Sequence, residues 1–91
     1  MERFIWMEIA YEEAEKEARE VNRLIDSVKE AFRRAQGEGV EWIWGTKYVR
    51  KDSLVKVLRE MGLSKDEARR AVKEAESAGV IAETEEYYVL G

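Results

Sequence analysis

Between Lys47 and Lys73 stand nine basic residues (Lys47, Arg50, Lys51, Lys56, Arg59, Lys65, Arg69, Arg70 and Lys73) against four acids (Asp52, Glu60, Asp66 and Glu67). That is a local charge of +5, with −9 left on the rest of the 91-residue chain. An arginine guanidinium can fork onto the O6 and N7 edge of guanine, whereas a lysine ammonium serves mainly as a point charge for phosphate. On that chemistry Arg69 and Arg70 are candidates for base edges, and Lys51, Lys56, Lys65 and Lys73 for a phosphate backbone. The competing reading is a solvated helix face whose cations pair with neighbours such as Glu67 and Glu74. Because the whole chain carries −4, attraction to nucleic acid must come from one local face.

Other chemistry is poorly supplied. With no histidine and no cysteine there is no imidazole base, thiolate, disulfide or His/Cys zinc site, and carboxylates are the only candidate metal ligands. Ser27, Ser53, Ser64 and Ser77 have no histidine to activate them, and glutamates three or four apart on a glutamate-rich helix serve solvation and ion pairing. Gly37-Glu38-Gly39 lacks the Lys-Ser/Thr that follows a phosphate-cradling loop. The expectation is a protein without catalytic residues, metal or cofactor. No segment approaches the ~20 apolar residues of a membrane span, and Met1–Glu8 is too short and too acid-flanked for a signal peptide, so a soluble cytoplasmic protein is expected. Seventeen of the 20 acids are glutamate, and Asn22 and Gln36 are the only side-chain amides, a bias that fits adaptation to heat. The same bias also suits any helix-rich chain.

The elements that must position the basic cluster can be read from spacing. From Met1 to Gln36 there is no glycine or proline, and Phe4, Met7, Tyr11, Ala14, Ala18, Val21, Ile25, Val28, Phe32 and Ala35 recur at alternating steps of three and four. A helix is predicted to Gln36, firm from Ile9, with residues 3–8 readable as helix or as an extended arm. Such a helix runs ~42 Å, against a body of about 25 Å across, and so overhangs its own domain. A second copy is the expected cover, giving a homodimer through Phe4, Met7, Tyr11, Ala14, Ala18 and Val21; the alternative is a helix that breaks and folds back. Residues 40–50 read as two short strands about a Gly45-Thr46-Lys47 turn. Trp42 and Trp44 are expected to pack against the first helix or the sheet rather than stay open for base stacking.

Residues 52–78 read as two helices. Asp52 or Ser53 is the expected cap of the first, with Leu54, Val57, Leu58 and Met61 on one face and Gly62 as its stop. Leu63 is placed to plug the corner, and Ser64-Lys65-Asp66-Glu67 is a capping box that starts the second helix. There Ala68, Ala71, Val72 and Ala75 share a face small enough for close packing, and Asp66, Arg69, Arg70, Lys73 and Ser77 lie opposite. After Gly79, residues 80–90 read as a hairpin with a short tip near Thr84-Glu85. The expected class is α+β and mostly helical, in one domain with a small antiparallel sheet.

Residues 48–90, through "YVRKDSLVKVLREMGLSKDEARRAVKEAESAGVI" followed by "YYVL", resemble the winged helix-turn-helix superfamily. Small archaeal and archaeal-viral transcription regulators of this plan carry an added dimer helix, and the C-terminal winged-helix domain of archaeal minichromosome-maintenance helicases is similar in cadence. The resemblance implies a double-stranded DNA-binding protein whose second helix enters the major groove. By position it nominates Lys65, Arg69, Arg70, Lys73 and Ser77 for groove contacts. At the wing the chain departs from the pattern: Glu83, Glu85 and Glu86 would repel phosphate. That departure keeps open a second expectation, a winged helix that contacts protein through the acidic hairpin, as in a replication assembly. A third is a ligand sensor with a pocket formed by Trp42, Trp44, Tyr48, Tyr87 and Tyr88.

Overall fold

An uninterrupted alternation of apolar steps with no breaker lets residues 2–34 propagate as one helix. The computed structural model describes the backbone of residues 2–91 and the side chains of residues 13–91. Helix α1 spans Glu2–Arg34, so residues 3–8 are helical rather than an extended arm, and the helix neither breaks nor folds back. It is followed by β1 (Val40–Ile43), β2 (Thr46–Arg50), α2 (Lys51–Glu60), α3 (Lys65–Ser77), β3 (Ile81–Glu83) and β4 (Tyr87–Leu90). Three helices and one antiparallel sheet make this an α+β fold.

The four strands form a single sheet in the order β1-β2-β4-β3. Val40 pairs with Val49, Tyr48 with Val89, and Ala82 with Val89. Residues 40–50 and 80–90 each form a hairpin, as their spacing predicts. Here β2 and β4 zip them together, because the Lys51 amide that opens α2 donates to the Glu86 carbonyl ahead of β4 (3.1 Å). That bond replaces the expected Asp52 or Ser53 cap: the N-cap is Arg50, without any side-chain bond, and α2 begins at Lys51.

Helix packing closes one side of the sheet. Leu24, Val28, Ala31, Phe32 and Ala35 of α1 and its end meet Leu54 and Leu58 of α2, Ala68, Ala71, Val72 and Ala75 of α3, and Val49 and Ile81 of the sheet in one buried cluster. Leu63 packs against it from the α2–α3 corner. Both helices of the pair stop in the same way. The Leu63 amide reaches the Leu58 carbonyl and the Gly62 amide that of Arg59; Val80 and Gly79 repeat this with Ala75 and Glu76. These are Schellman closures, and Gly62 and Gly79 take the positive φ that they require (104° and 74°).

Among the described side chains of α1 the first buried one is Leu24, and Glu13 to Glu20 are all exposed. In consequence the radius of gyration is 16.4 Å, where a compact chain of this length would have about 12 Å. Among the described residues no helix is long and apolar enough to cross a membrane.

Among the described residues Phe32 is the largest side chain with no exposed surface. Phe32→Ala should lower unfolding free energy by about 3–5 kcal/mol, out of a total of roughly 5–13 kcal/mol for a chain of this size. Urea denaturation with an unchanged m-value checks this, and a loss below 1 kcal/mol would mean that the α1 end is not part of the cooperative core.

Candidate nucleic-acid interface

The start of α3 is fixed by its own side chains. The Ser64 hydroxyl accepts from the Glu67 amide and the Glu67 carboxylate accepts from the Ser64 amide, both at 3.1 Å. Those two bonds, the amide first, hold the Glu67 carboxyl below its usual range, and Arg23 of α1 adds to the effect. With Ala68, Ala71, Val72 and Ala75 buried, the opposite side of the helix is open, and Lys65, Asp66, Arg69, Arg70, Lys73 and Ser77 are all exposed there.

The nominated cations do not share one state. Lys65, Arg69 and Lys73 have no carboxylate within ion-pair distance among the described residues, nor has Lys56 on α2. Arg70, by contrast, reaches across to Glu20 of α1 at 3.2 Å. Lys51 is engaged within the chain: it binds Glu83 of β3 at 2.7 Å and lies over the Tyr88 ring at 5.5 Å, joining α2 to the last hairpin. Glu83 is held below its usual pKa by that same hydrogen bond. Ser77 closes the exposed row near the helix end, without a hydrogen bond from its side chain among those described.

The +5 of the sequence therefore resolves by element. On α2 the exposed face carries Lys56 and Arg59 with Asp52 and Glu60, and is balanced. On α3 the exposed residues include four cations against two acids, Asp66 and Glu67, and the Glu67 carboxylate is engaged in capping the helix start. Arg59, which the spacing argument left outside the nominated set, is as exposed as Lys56 and lies one turn further on; that three-residue step was the available signal. Lys47 is occupied, its ammonium donating to the Phe32 carbonyl at the end of α1 and resting near the Trp42 ring.

Two expectations fail. Trp42 is 67% exposed and Trp44 fully exposed, so neither packs against α1 or the sheet. Trp44 falls in the two-residue turn beyond the sheet, and Trp42 sits on the edge strand β1 with the Lys47 ammonium near its ring. Nor do the five aromatic residues converge on a pocket: Tyr48 and Tyr87 stack edge-on (6.3 Å) on the outer face, and Tyr88, whose neighbour in β2 is the buried Val49, turns inward. Of the expected dimer residues, Ala14 and Ala18 are exposed and Val21 is half-buried, and Phe4, Met7 and Tyr11 lie outside the described side chains.

Burial against the core, reinforced by Glu76 and Glu83, pushes the Tyr88 phenol up to about 12. A folded-state pKa raised above the unfolded value near 10 means that stability is intact below pH 10 and is lost as pH rises towards 12. Thermal unfolding across that window should show the loss, and Tyr88→Phe should make it shallower; an equal slope in both proteins would remove Tyr88 as its source. Comparison with protein-family models, curated proteins and solved structures finds no match for this chain.

Proposed function

We propose that the chain is a winged helix-turn-helix protein that binds double-stranded DNA, with α3 as the helix that enters the major groove and the β3–β4 hairpin as the wing. One observation carries the reading: Lys65, Arg69 and Lys73 stand unpaired, among the described residues, on the open side of a helix whose other side is sealed by alanines. The order of elements supports it, since a strand precedes the helix pair and joins the hairpin that follows. A winged helix uses this arrangement to brace its reading helix. A role as transcriptional regulator follows from such binding. Two copies joined along the exposed part of α1 would set two α3 helices in successive grooves about 34 Å apart.

A protein-contact module is the second reading, favoured by one feature. The tip of the wing carries Glu85 and Glu86, both exposed, and Glu83 already holds Lys51, so this hairpin has no cation to offer phosphate.

Salt dependence separates the two. If Lys56, Lys65, Arg69 and Lys73 meet phosphates, log affinity for duplex should fall against log salt with a slope of about −3 to −4 per subunit, and Arg69→Ala with Lys73→Ala should flatten it. No duplex retained at micromolar protein would select the protein-contact reading. Because Arg70 is held by Glu20, Glu20→Gln should free it and strengthen duplex binding about two- to fivefold, within the ~1 kcal/mol of an exposed ion pair. Fluorescence anisotropy on a labelled duplex reads both effects, and weaker binding by Glu20→Gln would mean that Arg70 must stay anchored to read DNA.

A further inference from the structure

Among the described residues, three of the four exposed large hydrophobic side chains, Trp42, Ile43 and Trp44, lie in β1 or directly after it. β1 is a free edge of the sheet. The direction of its unpaired groups follows from one bond: the Arg50 amide donates to the Gly39 carbonyl at 2.8 Å. Since main-chain groups alternate along an antiparallel ladder, Glu41 and Ile43 then face β2, while Val40 and Trp42 face outward. The Val40 amide is already used by the Gly37 carbonyl (3.3 Å). Trp42 is left with both its N–H and its C=O pointing off the edge.

The turn beyond adds a second observation. Trp44 has φ 53° and Gly45 φ 76°, the two positive values of a tight hairpin turn. Asn, Asp or Gly ordinarily takes the first position, and a tryptophan there costs about 1–3 kcal/mol of backbone strain. Its ring, fully exposed, gains nothing within the chain in return. The opposite edge is guarded: β3 has three residues, and its Glu83 is tied to Lys51. β1 carries neither lysine nor proline.

We propose that β1 pairs antiparallel with β1 of a second copy about a two-fold axis through Trp42, joining two four-stranded sheets into one of eight strands. In this register each Trp42 exchanges its N–H and C=O with the partner's Trp42, and Trp44 falls beside the partner's Val40. A slip that set Glu41 opposite its own copy would oppose two carboxylates. At 67% and 100% exposure, the two indoles offer about 250–400 Å² per copy. With Ile43 and the strand edge the joint surface reaches about 1,000 Å², which a specific interface requires. This contact is separate from the α1 seam of the functional reading.

The test uses the full chain carrying Ala18→Glu, which places a charge in the exposed α1 seam and so isolates the β1 contact. Sedimentation should show a monomer–dimer equilibrium between micromolar and hundreds of micromolar, with Trp42 amide exchange slowing as dimer forms. Trp42→Pro removes the outward N–H together with the indole and should weaken the dimer about tenfold or more, as the loss of two symmetric hydrogen bonds alone implies. Trp42→Lys, which leaves the backbone intact, should do the same if the proline variant does not fold. A monomer throughout the range, or a dimer indifferent to both Trp42 substitutions, overturns the proposal. So does a Trp42 amide protected only when an unrelated extended peptide is added, which would assign the edge to a foreign strand.

Discussion

The close seating of α1 on α3 is the constraint from which the remaining geometry follows. Ala68, Ala71 and Ala75 present almost no side chain, so the two helix backbones can approach, and Leu24, Val28, Ala31 and Phe32 fill the space between α1, α3 and α2. A leucine in place of any of these alanines would push α3 outward and open the core that also receives Val49 and Ile81. Because the small face is fully consumed, α3 has one free side, and its charged residues are there by elimination. The Glu67–Arg23 and Glu20–Arg70 pairs then mark where α1 passes alongside α3.

The same seating explains why α1 is too long for its body. Among the described side chains of α1, burial starts at Leu24, Glu20 and Arg23 reach α3 through exposed ion pairs, and Glu13 to Arg19 project into solvent. A helix of this composition keeps its form over that distance through exposed pairs such as Glu15 with Arg19, each worth a few tenths of a kcal/mol, and through continuity with the anchored end. The free sheet edge at β1 has a related origin. The end of α1 stops at Arg34, and the linker brings β1 in beyond the helices, where no element of the chain can cover it.

What could be read from the residues was whatever local chemistry decides. The Ser64–Glu67 box, the glycine stops and the alanine face are each settled within one or two turns of chain, and the structure places them as their spacing requires. The failures share a different cause. Trp42 and Trp44 have the composition of core residues, and only the topology, with β1 at an edge and Trp44 in the turn, leaves them outside. Similarly, Asp52 and Ser53 look like caps until the carbonyl of Glu86, more than 30 residues away, satisfies the first amide of α2. The state of Arg70 and Lys51 was hidden for the same reason, since their partners Glu20 and Glu83 are 50 and 32 residues distant.

Those two long-range pairs also shape how the basic region can act. Each links a cation of the region to an acid on a different element, Glu20 on α1 and Glu83 on β3, so part of the positive charge is already spent holding the fold's periphery together. A phosphate that recruited Arg70 would have to displace a carboxylate, and the net gain is the difference between two exposed charge pairs, each worth at most about 1 kcal/mol. Lys65, Arg69 and Lys73 carry no such exchange. Their spacing of about one turn makes them a row along α3. On the proposed reading the −9 carried outside residues 47–73 acts in the same direction, since it disfavours the approach of a polyanion to the rest of the chain.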